Sequence, residues 1–464
     1  MPAFLCILCF ISLINPNQII LNMSAQPNIL VILTDQQTQR AVSSYGNPYL
    51  HTPYMDTLVH GGVSFENSYC TAPVCSPSRS SLLTGLMPHQ TGVEINGPSI
   101  KPEVPTLGDV FQQGGYQSFY TGKWGLGDRR GFNFLEDEYP KGIPRQYGTN
   151  TDPIWTDQAV NFLHRFKQQE MSSGQPFLLC VSLHNPHDIC YWVMDNRDLV
   201  DIPADIDLPP LPPNFQPISD EPEFIEICRQ RTYYGNELNW TSDWDEMEWR
   251  KYLYAYYRFT ERVDQQIGRL LNALDENDLS DDTLVVLTSD HGEGVAAHQW
   301  VVKLMLYQEV VTVPFVIRWN GMIPENLVDR THLVSGLDLL PTVCDYANIG
   351  LPTGLSGQSL RPLVENSSLP GRPYVVSELQ PDPKHKEMKG RMIRTARFKY
   401  IIFSHGQHPE LLFDLEADPG ETENLAYQVA YRDIVLEHQA LLLRVIKDTL
   451  DPFPMSAIVG AGKE

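Results

Sequence analysis

The stretch Asn28–Asp35 (NILVILTD) decides the fold. Its five consecutive apolar residues, Ile29 to Leu33, leave no polar face, so the segment predicts a strand buried on both sides of a sheet. It stops on a hydroxyl and a carboxylate. Phe177–His184 (FLLCVSLH), Thr283–Asp290 (TLVVLTSD) and Pro314–Trp319 follow the same pattern. Amphipathic stretches lie between them, the longest from Met247 to about Glu276. Alternating strands and helices predict an α/β fold, a large mixed, mainly parallel sheet sandwiched by helices. Such sheets bind ligands beyond the carboxyl ends of their strands. Asp35, His184 and Asp290 stand at those ends.

From about Pro370 the pattern changes. Tyr374–Leu379, Arg391–Phe403 and Leu411–Leu415 read as antiparallel strands and Tyr427–Leu450 as a helix. The expected organisation is a catalytic domain over residues 27–369 and a smaller C-terminal α+β domain over 370–464. Residues 201–223 are acidic and rich in proline, and read as a surface excursion because the α/β pattern resumes after them. Residues 3–14 form an apolar run of signal-peptide length, too short for a membrane span. Residues 1–26 therefore read as a leader, which implies a periplasmic or secreted protein. No Lys or Arg precedes the run, and translation from Met23 would instead leave the protein in the cytoplasm.

A chain of 464 residues can bury a large core. Its net charge of −23 excludes a nucleic-acid backbone as the main partner. A few buried cations can still form a local well for a small anion. The eight cysteines show no zinc-type spacing, and six of them read as scattered thiols outside the leader.

One of those cysteines heads Cys75-Ser-Pro-Ser-Arg79, which runs on to Leu83-Thr-Gly85. This segment resembles the signature of the type I, formylglycine-dependent sulfatases of the alkaline phosphatase superfamily, C-x-P-S-R-x-x-x-L-T-G, at every fixed position. The resemblance extends from about Pro27 to Ala426. It implies that a formylglycine-generating enzyme oxidises Cys75 to formylglycine (3-oxoalanine), whose hydrated aldehyde offers an oxygen nucleophile where a thiol would be a poor one. It also implies that Asp35, Gln36, Asp290 and His291, with residue 75, hold a divalent metal. Ca²⁺ suits the carboxylates, while the imidazole also admits Mn²⁺, and Mg²⁺ is a further candidate. Many relatives have Asp and Asn where this chain has Gln36 and His291.

The resemblance further assigns Lys123, in Gly122-Lys-Trp-Gly-Leu-Gly127, and Lys303, in His298-Gln-Trp-Val-Val-Lys303, to the sulfate group. Arg79 would hold the hydrated aldehyde with its planar fork. His184, in Leu183-His-Asn-Pro-His187, would protonate the leaving alcohol, with His187 as a weaker pocket candidate. One departure stands out: the family's histidine in the Lys123 motif is Gly125 here. His298 or a water is the replacement open to the sequence. His89 reads as structural. Tyr191, Trp192, Trp240 and Trp244 read equally as sugar platforms or as packing. His405, Gln407 and His408 lie in a loop of the C-terminal part, which in the family often lends residues to the pocket.

The expected function is therefore hydrolysis of a sulfate ester, of a small molecule or an oligosaccharide, with a carbohydrate preferred and no nucleic acid or membrane span involved. An aryl or alkyl sulfate is the nearest rival substrate. The alternatives are a phosphonate or phosphate ester hydrolase on the same fold, or an inactive binder of sulfated glycans, to which only Gly125 points.

Overall fold

The computed structural model describes residues 26–135, 147–169, 174–194, 197–230 and 240–461. The leader expected at residues 1–26 thus lies, but for its last residue, outside the described residues. Fourteen strands occur among the described residues: β1 Asn28–Asp35, β2 Val63–Phe65, β3 Ser68–Tyr69, β4 Gln117–Gly122, β5 Asn133–Phe134, β6 Phe177–Pro186, β7 Thr283–Ser289, β8 Phe315–Arg318, β9 Leu327–Asp329, β10 Val334–Ser335, β11 Val375–Leu379, β12 Gly390–Arg394, β13 Phe398–Phe403 and β14 Glu410–Asp414. Eight form the main sheet in the order β5-β4-β6-β1-β7-β8-β2-β9. Its central strands β4, β6, β1 and β7 are all parallel, and only β8 runs against its neighbours. The mixed, mainly parallel α/β sheet is as expected.

The reason β1 is apolar throughout is visible in its packing. Ile29, Val31 and Leu33 enter one core with Leu82, Leu83, Leu339 and Leu340. Leu30 and Ile32 enter the opposite core with Phe162, Leu163, Val263 and Ile267. Helices Gly148–Lys167 and Glu246–Glu276 thus cover one face, and Cys75–Thr84 with Leu339–Tyr346 cover the other. A polar residue at any of these β1 positions would need a buried partner.

Strands β11 to β14 form an antiparallel meander. The stretch 391–403, read as one strand, is two, β12 and β13, paired Arg394 to Lys399. Side chains alternate faces. Met392, Ile401, Leu411 and Phe413 pack toward Tyr69, Met305 and Tyr307. Ile393, Tyr400, Ile402 and Leu412 lie under Leu442 and Ile446 of helix Arg432–Thr449. The excursion at 201–223 contains no strand, yet Leu208 and Ile218 are buried. No helix among the described residues is long and apolar enough to cross a membrane.

Candidate active site

Four adjacent parallel strands deliver the site. Lys123 follows β4, His184 stands near the end of β6, Asp35 closes β1 and leads to Gln36, and Asp290-His291 follow β7. Cys75 is the first residue of helix Cys75–Thr84, behind the extended Val74. A helix N-terminus favours negative charge, so this is a suitable seat for an oxyanion. The helix is Ser-rich and all ten of its residues are buried. Small side chains let it sit close to the strand ends.

The Cys75 sulfur is the point of convergence. It lies 3.1 Å from Lys303 Nζ, 3.3 Å from His291 Nε2, and 3.7 Å from both Asp35 Oδ1 and Lys123 Nζ. Arg79, one helical turn on, is buried and spends its whole fork: Nε donates to Asp290 Oδ2 and Nη2 to Asp35 Oδ2, both at 2.8 Å, while Nη1 donates to the Lys123 carbonyl and Ser182 Oγ. Lys123 Nζ pairs with Asp35 Oδ2 at 2.6 Å. Three cations therefore face two carboxylates, an anion well inside an acidic chain. Burial works against the Asp35 charge, but Lys123, His187 and Arg79 outweigh it and hold the carboxyl well below the usual range. For Cys75, burial and Asp35 push the thiol up; Lys123 and Lys303 outweigh them and draw it down.

Metal-type donors also converge. Ligand atoms of Asp35, Cys75, Asp290 and His291 all lie within 4.8 Å of one another, and all four residues are buried. This mix of carboxylate oxygens and an imidazole fits a divalent cation. The Gln36 side chain is engaged elsewhere in the structure: its Nε2 donates to Glu293 Oε2, and its Oε1 accepts from the Cys190 thiol at 3.3 Å. Its backbone N–H donates to Asp290 Oδ1, and its backbone is left-handed, with φ of 70°.

The histidines of β6 are ordered front to back. His187 Nε2 stands 4.0 Å from Asp35 Oδ1. His184 Nε2 is hydrogen-bonded to His187 Nδ1 at 3.1 Å, and its ring lies near-parallel to Trp155 at 6.4 Å. The residue the sequence ranks second therefore approaches Asp35, with His184 hydrogen-bonded behind it. Burial and the nearby lysines lower both imidazoles. Asp152 fixes this strand end by accepting the His184 and Asn185 N–H groups, at 2.6 and 2.9 Å; burial pushes it up to about 8.

Two sequence-level readings change. His298 does not sit against residue 75 as a replacement for the histidine absent at Gly125. It stacks on Tyr307 at 4.1 Å, grouped with Glu309 and Glu421. Trp192 and Trp244 pack on Tyr252, with Trp249 beside them: Trp192 is core and Trp244 lies partly buried against it, which is the packing alternative. The Tyr191 ring lies beside His187, with ring centroids 5.6 Å apart. His89 is structural as expected, pairing with Glu378 at 2.5 Å. His405 hydrogen-bonds Ser404, and the Gln407 N–H donates to Glu223.

Glu293 and Tyr252 carry no motif signal of their own. Glu293 is fully buried and accepts from Gln36 Nε2, Tyr252 Oη and the Val302 N–H. It thereby ties the end of β1 to the residue just before Lys303.

An α/β sheet with a buried cysteine, three cations and metal-type donors at its carboxyl edge defines the class of hydrolases that act on tetrahedral anionic esters. Comparison with known proteins narrows this. The model of the Sulfatase family matches residues 27–349, and that of the N-sulphoglucosamine sulphohydrolase C-terminal region matches 296–448. A Delta 4,5-hexuronate-2-O-sulfatase of Bacteroides thetaiotaomicron is 33% identical over 92% of this chain and 90% of its own. An ulvan-active sulfatase of Formosa agariphila is 27% identical over 92% and 82%. The solved structure of a 2-O GAG sulfatase superposes with a TM-score of 0.81 at 32% identity, covering 92% of this chain and 93% of that one. A phosphonate monoester hydrolase of Agrobacterium radiobacter shares the fold, with a TM-score of 0.76 at 23% identity over 92% and 97%. The chain belongs to the sulfatase family. It is a sulfatase, a hydrolase of sulfate esters.

Proposed function

We propose that this sulfatase removes sulfate from a sugar, and more narrowly from the 2-position of a hexuronate at the end of a glycosaminoglycan-derived oligosaccharide. Full-length similarity to a relative named for that reaction supports the narrower reading. The observation that carries the chemistry is the position of the Cys75 sulfur, against Lys303, Lys123, His291 and Asp35 at once.

In this reading Cys75 is converted to formylglycine by a modifying enzyme that recognises its motif, and its hydrated aldehyde places a hydroxyl where the sulfur now stands. Asp35, Asp290 and His291, with Gln36 if its amide turns from Cys190, hold a divalent cation, Ca²⁺ or else Mn²⁺ or Mg²⁺. Such a cation would offset the carboxylates and acidify a hydroxyl at residue 75. Lys123 and Lys303 grip the sulfate oxygens. The attacking hydroxyl of residue 75 gives its proton to water, its oxygen bonds to sulfur as the bond from sulfur to the sugar oxygen breaks, and that oxygen leaves with a proton from His187, which His184 orients. Burial, with the lysines, lowers His187 in the empty site; an anionic ester between the lysines would offset their charge and raise its affinity for the proton. The unprotonated His187 then takes the proton of the second hydroxyl, releasing sulfate and restoring the aldehyde. This gives His187 the task left open by Gly125. Arg79 keeps Asp35, Asp290 and the Lys123 backbone in register.

The test is a panel of 2-O-, 4-O- and 6-O-sulfated saccharides and an aryl sulfate, with matched phosphate and phosphonate esters. Fastest release from the 2-O-sulfated hexuronate is expected. Preference for another position would refute the narrower reading, and preference for a phosphonate ester would refute the sulfate reading itself.

A further inference from the structure

Beyond the catalytic cluster, the described residues contain a further set of metal-type donors, with His298 and Glu421 buried and Glu309 partly so. His298, Glu309 and Glu421 bring ligand atoms within 4.8 Å of one another. His298 lies on the loop leading to Lys303, Glu309 on helix Gln308–Val311, and Glu421 beyond β14. The three join the main sheet's carboxyl edge to the four-stranded meander.

Their hydrogen bonding is incomplete. His298 has no exposed surface, and neither ring nitrogen has a hydrogen-bond partner. Glu309 Oε1 accepts from Asn214 Nδ2 at 2.8 Å, but Oε2 accepts from nothing. Glu421 Oε2 accepts the Gln308 N–H at 2.8 Å, and its Oε1 faces Lys399 Nζ at 2.6 Å. Lys399 thus pairs with Glu421 and acts on Glu309 only through space. Native interiors rarely leave such donors and acceptors unmatched, and an unmatched buried charge is costlier still. The His89–Glu378–Asp451 group differs: both His89 ring nitrogens are hydrogen-bonded, to Glu378 and to the Thr449 carbonyl, and Arg391 donates to both Asp451 oxygens.

We propose that His298, Glu309 and Glu421 bind a second divalent cation, one of borderline softness such as Zn²⁺ or Mn²⁺. One imidazole nitrogen and two carboxylate oxygens are donors that these ions accept. Ca²⁺ would be poorly served by three donors that include a nitrogen. The ion would clamp a loop that needs fixing. Val295, Ala296, His298, Gln299, Val302 and Leu304 all have left-handed backbones, and Lys303 lies among them.

The probe is Zn²⁺ with the full-length protein. Metal is stripped with a chelator, Zn²⁺ is added, excess is removed by desalting, and bound zinc is counted by mass spectrometry in the parent and in Glu309→Gln. A loss of one zinc per chain is expected in the variant. Anomalous diffraction from zinc-soaked parent crystals gives a reading that no folding defect can disturb, and a peak among the three side chains is expected. An unchanged zinc count in a folded Glu309→Gln protein, or an anomalous peak confined to the Asp35–Asp290 cluster, would overturn the proposal.

Discussion

The Lys303 ammonium lies 3.1 Å from the Cys75 sulfur, across 228 residues of sequence. Lys303 is almost fully buried, so it cannot be an ordinary solvated surface lysine. A buried cation aimed at the reacting atom stabilises charge that develops there. Lys303→Ala should lower kcat/KM about 10²-fold or more, on the order of 3 kcal/mol. Steady-state kinetics on a sulfated saccharide measure this, and a loss under threefold would remove Lys303 from the sulfate site.

Gly125 has a left-handed backbone with φ of 68°, and a Cβ there would stand 3.1 Å from Arg79 Cδ. Restoring the family's histidine by Gly125→His should therefore impair the enzyme, since strain of roughly 1–3 kcal/mol would add to displacement of Arg79. Lower Tm and lower kcat are expected together. A faster enzyme with unchanged Tm would contradict the role given to His187.

Glu293 holds the Gln36 amide and the Val302 N–H at once. Glu293→Gln introduces an amide that cannot accept from all three of its present donors. Affinity for the catalytic cation should fall tenfold to about a hundredfold, as measured by metal titration of the stripped protein. Unaltered affinity would make Glu293 a packing residue only.

The His89–Glu378 pair gives a pH signature. Burial alone would lower His89, but its hydrogen bond to Glu378 outweighs that and raises it above the ordinary 6.5. A raised histidine stabilises the fold fully below the unfolded value, and loses that contribution as pH climbs through the folded one. Thermal melts should place His89→Gln well below the parent at pH 5.5, with the gap closing toward pH 9. A gap that widens with pH would reverse the sign assigned here.

Much of this site was legible because its strands are buried on both faces. Asp35 and Asp290 end uninterrupted apolar runs, so their position at the sheet edge follows from the pattern alone. Strand β4 escaped notice although Lys123 directly follows it. Its Ser118 and Thr121 look like loop residues, but the hydroxyls are matched within the fold, by the Gly108 carbonyl and the Gln158 side chain. The order of His184 and His187 was also hidden. They share one short motif, and only the turn after β6 determines which ring approaches Asp35. Asp152 and Glu293 serve backbone and side chains far away in sequence, so no local spacing marks them.

The most direct measurement is the mass of the peptide carrying residue 75 from fully active enzyme, taken with and without a hydrazine that traps carbonyls. The expected result is an aldehyde in place of the thiol, trapped by the reagent, with all activity lost in Cys75→Ala. An intact Cys75 thiol in enzyme that turns over sulfate ester at its full rate would contradict the oxygen nucleophile on which the mechanism depends.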